Sequence, residues 1–326
     1  MSLRLTKFQK QLCNTLQDGL PICPRPFDDI AKFLNTDEQT VLQQTSELKK
    51  TGVIRRIGAL INYRALGIIS TLVAAHIPKR LLPTVTESVS SLPSVSHNYL
   101  RSHRYNLWFT LQASRAEEIE LTLSSLSERF GLKFHSLPAK RVFKLDARFD
   151  AVSEVGVALK DVVKIPESKI VKMDKNQKLI LSKLQDGLEP VARPFDFLCG
   201  KGLKSKDALR ITQELIDKGV VRRIGAVVDH RRLGFAANVL FAGEVPQDRI
   251  IEAGKRLARF GAVTHCYERK TFEGWPYNLF AMIHGRGMGE IQHVIDRFTR
   301  AKGIESFELL PSLAELKKQP VKHRFF

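Results

Sequence analysis

Two strings in this 326-residue chain place the same three side chains at the same spacing. VTHCYER carries His265, Tyr267 and Arg269 at i, i+2 and i+4, and VSHNYLR carries His97, Tyr99 and Arg101 in the same order. On a strand such positions share one face, so each string predicts a row of imidazole, phenol and guanidinium along one side of a sheet. Near neutrality an imidazole moves protons or ligates a metal. A phenol donates or accepts a hydrogen bond, and a guanidinium forks onto a carboxylate. An isolated histidine is more often a satisfied core residue; the triple, present twice, points instead to a site.

Cations and aromatics recur beside these rows. Arg55-Arg56 lies in GVIRRIGALINYRALG (52–67) and Arg222-Arg223 in GVVRRIGAVVDHRRLG (219–234), strings that share ten of sixteen residues. On alternating strand positions one arginine of each pair faces a site and the other faces away. Tyr105-Asn106 recurs as Tyr277-Asn278. Trp108, Trp275 and Tyr277 have the size to cover an aromatic ligand, although aromatic strand residues are more often core. GRGMG (285–289) lacks the strand-helix context and Lys-Ser/Thr of a phosphate loop and reads as a turn before a helix. His284 ends the strand beside it and is a weaker candidate.

These matches define the elements that must position the residues. LQDGL recurs at 16 and 184, RPFD at 25 and 193, and the offset stays near 167 until an insertion within KTFEGWP widens it to 172. One long unit has been duplicated and fused. Each unit opens helix, helix, turn, helix, wing: LTKFQKQLCNTLQDG, PRPFDDIAKFLN with proline near its start, then TDEQTVLQQTSELKKTG with Thr36 or Asp37 as N-cap and Gly52 as stop. Each continues strand, helix, strand, strand, helix, strand, the ferredoxin-like order, with its last strand expected at KFHSLPA and IESFELLP.

The fold expected is therefore α+β, a tandem duplication of a winged helix-turn-helix and a ferredoxin-like α/β sandwich. The domains are expected at 1–65 and 66–150, then 173–232 and 233–326, with 151–172 as an ordered linker.

Composition narrows the function classes. Hydrophobic residues at 43% and charged residues at 26% are those of a soluble globular chain, and no stretch has the apolar length to span a bilayer. The start MSLRLTKFQKQLCNTL lacks a signal-peptide core, and four cysteines without CxxC or zinc-finger spacing read as reduced thiols. A cytoplasmic location without a membrane partner is expected. The net charge of +18 divides as +8 through residue 160 and +10 beyond it. That field attracts polyanions, nucleic acid or a small molecule with many carboxylates. A DNA reader brings basic side chains to phosphates and amides to base edges. Unit one's third helix instead begins Asp37-Glu38-Gln39-Thr40, whereas unit two's carries Lys204, Lys206 and Arg210. A palindromic operator requires two equivalent readers, so the sequence argues against DNA.

At this point the residues carry a resemblance. A winged helix-turn-helix followed by a ferredoxin-like domain is the Lrp/AsnC layout, and RPF, GVxRRIGA, VTHCYER and WPYNLFAMIHG resemble the siroheme decarboxylases, in the fused NirDL arrangement of haem d1 biosynthesis. The resemblance spans essentially the whole chain. It implies a carboxy-lyase that removes CO₂ from the C12 and C18 acetates of siroheme, giving 12,18-didecarboxysiroheme, with no cofactor beyond the iron of the substrate.

On this reading His265, Tyr267, His97 and Tyr99 are the candidate catalytic groups, His265 also the candidate contact to siroheme iron. Arg222, Arg223, Arg269, Arg55, Arg56, Arg101, Trp275, Tyr277 and Asn278 are the candidate substrate-binding groups. The principal site is expected in unit two. A haem- or siroheme-sensing transcription regulator is the alternative. Homo-oligomerisation or assembly with other decarboxylase subunits stays open.

Overall fold

The computed structural model describes residues 4–152, 169–200, 202–323 and 325; most of the linker expected at 151–172 lies outside them. In unit one, Thr6 opens α1 (Lys7–Asp18) with a capping box, its hydroxyl accepting from the Gln9 N–H while the Gln9 side chain accepts from the Thr6 N–H. Such a cap contributes about 1 kcal/mol. α2 (Pro26–Phe33) and α3 (Glu38–Lys50) follow, and Leu12, Leu16, Phe27, Ile30, Val41 and Leu48 bury their side chains together. β1 (Ile54–Ile61) is the wing.

Unit one continues with β2 (Ile69–Ala75), α4 (Leu82–Ser91), β3 (Val95–Arg101), β4 (Leu107–Ala113), α5 (Ala116–Phe130) and β5 (Phe134–Leu145). Unit two runs α6 (Lys175–Asp186), α7 (Ser205–Asp217), β6 (Val221–Val228), β7 (Ala237–Gly243), α8 (Ile250–Ala258), β8 (Val263–Arg269), β9 (Leu279–Gly285), α9 (Met288–Lys302) and β10 (Phe307–Lys318).

The second helix expected in unit two is only a short 3₁₀ turn, Asp196–Leu198. Gly200 and Gly202, both at positive φ, follow where α2 has a helical Asp28–Lys32 ion pair. Lys183 Nζ instead donates to the carbonyls of Phe197, Leu198 and Cys199.

The two wings do not project separately. β1 and β6 form an antiparallel pair whose centre is Gly58 opposite Gly225. A Cβ on Gly225 would stand 2.6 Å from the Leu16 carbonyl oxygen of α1, so close seating on that helix requires glycine.

The last strand of each ferredoxin-like half is longer than expected. β5 pairs with β2 through Pro138 and then with β8 of the other unit from Ala139 to Leu145. β10 pairs with β7 through Pro311 and then with β3 from Ser312 to Lys318. A proline has no N–H to give a ladder, and each marks the handover from one sheet to the other. The two sheets close into one barrel of order β10-β3-β4-β2-β5-β8-β9-β7. Helices cover its outside over separate apolar clusters around Val73, Val89 and Phe109, and around Phe241, Leu257 and Phe298.

Candidate active site

β3 and β8 lie four strands apart around the eight-stranded barrel, so their rows face each other across its interior. The alternation is direct: Asn98 Nδ2 donates outward to Ser90 of α4, and the Cys266 thiol points to the Gly254 carbonyl of α8. His97, Tyr99 and Arg101 therefore share the inner face, as do His265, Tyr267 and Arg269. Each row is stacked. The His97–Tyr99 ring centroids are 6.3 Å apart at 19°, and those of His265–Tyr267 are 6.3 Å apart at 26°. The Arg101 and Arg269 guanidiniums lie 5.3 and 4.5 Å from the centroids of Tyr99 and Tyr267.

These two arginines are held by backbone. Arg101 Nη1 donates to the carbonyl of Leu310 (2.8 Å), and Arg269 Nη1 to that of Leu137 (2.8 Å), each on the crossing strand. Burial lowers both to about 10. Beyond them the barrel is plugged by Trp108, Trp275, Phe280 and Tyr105. Trp275 is 2% exposed, 5.5 Å from Trp108, and Tyr277 stands edge-on to it at 4.8 Å. Asn278 is spent on the backbone of Val245, accepting from its N–H and donating to its carbonyl. The structure thus sets Trp275, Tyr277 and Asn278 at the far end of the barrel, away from His97 and His265.

The wing pair covers the histidine end. Arg55 donates to Asp229 (2.8 Å) and Glu315 (3.0 Å), and Arg222 donates to the Leu145 carbonyl (2.7 Å), opposite His265 in the ladder. Arg222 is exposed, whereas Arg55, Arg56 and Arg223 are half-buried. The other member of each pair turns aside: Arg56 donates to the Ala59 carbonyl, and Arg223 to Asp146 (3.1 Å). One arginine per wing faces the rows, as the alternation requires.

Two histidines join this end that the repeated spacing did not single out. His230 is buried with its ring 4.8 Å from that of His284, and Phe149 stacks on it at 5.4 Å. Lys318 Nζ approaches His230 Nδ1 at 3.5 Å, and Nδ1 of His284 is buried without a hydrogen-bond partner. Glu315 and Lys318 lie in the stretch of β10 beyond its expected end, so the tail SLAELKK was their only trace. His230 stands where unit one has Tyr63, and nothing in a single sequence marks it.

Burial dominates the electrostatics. It pushes His97 down to about 4, helped by Lys318, and His265 down to about 3, helped by His97 and Arg222. His230 falls to about 4 and His284 well below its usual value. All four are neutral at neutral pH. Burial raises both Tyr99 and Tyr267, which keep their protons. Thr264 Oγ1 donates to the Met282 carbonyl and lies 2.9 Å from His265 Nδ1. With the hydroxyl proton given to that carbonyl, Nδ1 would carry the imidazole hydrogen and Nε2 would keep its lone pair. Such a nitrogen accepts a proton or binds a metal. Among the described residues no three His, Cys, Asp or Glu side chains are grouped to hold a metal ion themselves.

Fold and site together define a duplicated protein of the AsnC-like class, whose ligand-binding sheets are closed into one barrel under a joined pair of wings. Residues 65–144 and 232–317 match the AsnC-like ligand binding domain, and residues 9–55 match the siroheme decarboxylase NirDL-like HTH domain. The siroheme decarboxylase of Hydrogenobacter thermophilus is 34% identical, over 96% of this chain and 94% of that protein. Two crystal structures of the siroheme decarboxylase NirDL, one of them in complex with an iron-uroporphyrin III analogue, superpose with TM-scores of 0.71 and 0.70. Each is 31% identical and covers 98% of this chain and 94% of its own. The chain belongs to the siroheme decarboxylase family.

Proposed function

We propose that this chain removes CO₂ from the C12 and C18 acetates of siroheme, as a carboxy-lyase of haem d1 biosynthesis, without an added organic cofactor. The observation that carries the reading is the pairing of two opposed His-Tyr-Arg rows with an exposed arginine at their histidine end, in a chain of this family. An anionic aromatic disc has there a cation for its carboxylates, phenols at its edge and an imidazole lone pair for its iron.

Each turnover balances as one acetate carboxylate and one proton giving CO₂ and a methyl group. One proton is taken up by the macrocycle, the Cα–carboxyl bond breaks with its electron pair entering that ring, and the same proton then passes to the methylene carbon, the donor being reprotonated from solvent. Tyr267 holds a proton at neutral pH and supplies it. The neutral His265 turns its Nε2 to the iron. Arg222 holds a carboxylate, and Arg269 fixes the Tyr267 ring from behind. A placed acid contributes about 10²–10⁴-fold, and orientation of the acetate in a water-poor site supplies the remainder.

DNA has little support as a partner. α3 opens with acid, the second unit lacks its second helix, and the wings bind each other. Incubating the purified chain anaerobically with siroheme, and following absorbance and mass, tests the proposal. Loss of two CO₂ is expected. Binding without mass change would replace the enzyme by a tetrapyrrole sensor.

A further inference from the structure

The two rows are related by the duplication, but their surroundings are not. In the strand register Glu315 stands opposite Tyr99 and Lys318 opposite His97, whereas Val142 stands opposite Tyr267 and Leu145 opposite His265. The wings repeat the difference: Asp229, which binds Arg55, corresponds in the repeat to Asn62. On the unit-one side Glu315 accepts from the Tyr99 hydroxyl (3.3 Å) and from Arg55, with Lys318 3.5 Å away. Two cations and two carboxylates are gathered there, and they satisfy one another. On the unit-two side, among the described residues, Arg222 donates to a main-chain carbonyl alone, and Arg64 adds a second exposed cation near Tyr267. The crossing strand sets apolar Val142 and Leu145 opposite the row, while its Arg141 and Lys144 stand opposite Glu268 and Cys266. Among the described residues the carboxylate near Arg222 is Asp146, already bound by Arg148 and Arg223.

We propose that β10 makes the two halves of the site unequal, Glu315 together with Asp229 occupying Arg55 and Lys318, so that a polycarboxylate ring is gripped by its acid groups on the Arg222 half alone. Glu315 is then a specificity-determining residue. It repels carboxylate arms from the unit-one half and so sets one orientation of the ring, while His97 and His265 both remain within the same space. This inference rests on the tetrapyrrole reading given above.

The test is equilibrium binding of iron-uroporphyrin, an eight-carboxylate ring, followed by its absorbance at several salt concentrations. Glu315→Gln keeps the size of the side chain and one acceptor oxygen while removing the charge. Tighter binding by about tenfold, equivalent to ~1.4 kcal/mol, and a steeper loss of affinity with salt are expected. Val142→Glu places a carboxylate opposite Tyr267, where unit two has none, and weakens binding by about tenfold or more. A purely structural Glu315 would change the melting temperature and leave the salt dependence alone. Unchanged or weaker binding by a folded Glu315→Gln overturns the proposal. If that variant does not fold, unchanged binding by Val142→Glu overturns it. Absence of binding by the unaltered protein removes the tetrapyrrole reading and this one with it.

Discussion

In the proposed reaction His265 and Tyr267 act as neutral groups, and their environment makes them so. A desolvated imidazole flanked by Arg222 and His97 is costly to charge, so in the resting site it stays unprotonated and free to meet an iron. His265→Ala is expected to lower turnover by roughly 10²–10⁴-fold with little change in melting temperature; unchanged single-turnover kinetics with siroheme would remove His265 from the chemistry. The same depression has a stability consequence. The unfolded chain protonates His230 near 6.5 and the folded chain only near 4. Between these values the unfolded state binds more protons, so stability is full above pH 6.5 and falls as the pH drops toward 4. For His230 alone the loss is on the order of 3 kcal/mol. His230→Gln should flatten the acid limb of a urea-denaturation series between pH 6.5 and 4, and an unaltered limb would place the acid sensitivity elsewhere.

Strands explain which of these residues the sequence exposes. The two rows were legible because a strand's period of two converts spacing directly into a shared face, and Arg55 and Arg222 were legible as one member of each pair for the same reason. Glu315 and Lys318 were not, because Pro311 reads as a strand end, whereas here it marks the change of partner from β7 to β3. Trp275 and Asn278 look like binding groups by type. Only tertiary packing shows one filling the barrel plug and the other tying down the Val245 backbone. The shortened second helix of unit two had a signal in Gly200 and Gly202, outweighed by the repeated RPFD. The wing pair is tightly seated. Gly225→Ala drives a methyl into the Leu16 carbonyl of α1 and should cost about 1–3 kcal/mol in denaturant unfolding. An unmoved midpoint would mean that β6 does not rest on that helix.

At the scale of the whole chain, duplication, the α+β class and the layout of each unit were readable from internal repeats, because repeats need no knowledge of contacts. Closure of the barrel was not, since it depends on which strand meets which across units. That closure predicts how the chain behaves when cut. With a protease site inserted between residues 152 and 169, the two fragments should co-elute after cleavage, because β5–β8 and β10–β3 ladders join the units. Separation of the fragments by size exclusion without denaturant would show that these ladders do not hold the units together.

The crossing strands also bear on ancestry. Had two identical copies assembled in this way, any residue placed opposite one tyrosine would stand opposite both, and an acid at that position would have closed the two halves together. With both copies in a single chain, β5 and β10 are free to differ. On the proposed reading, a symmetric pocket would in this way become a handed one, able to tell the edges of a nearly symmetric ring from each other.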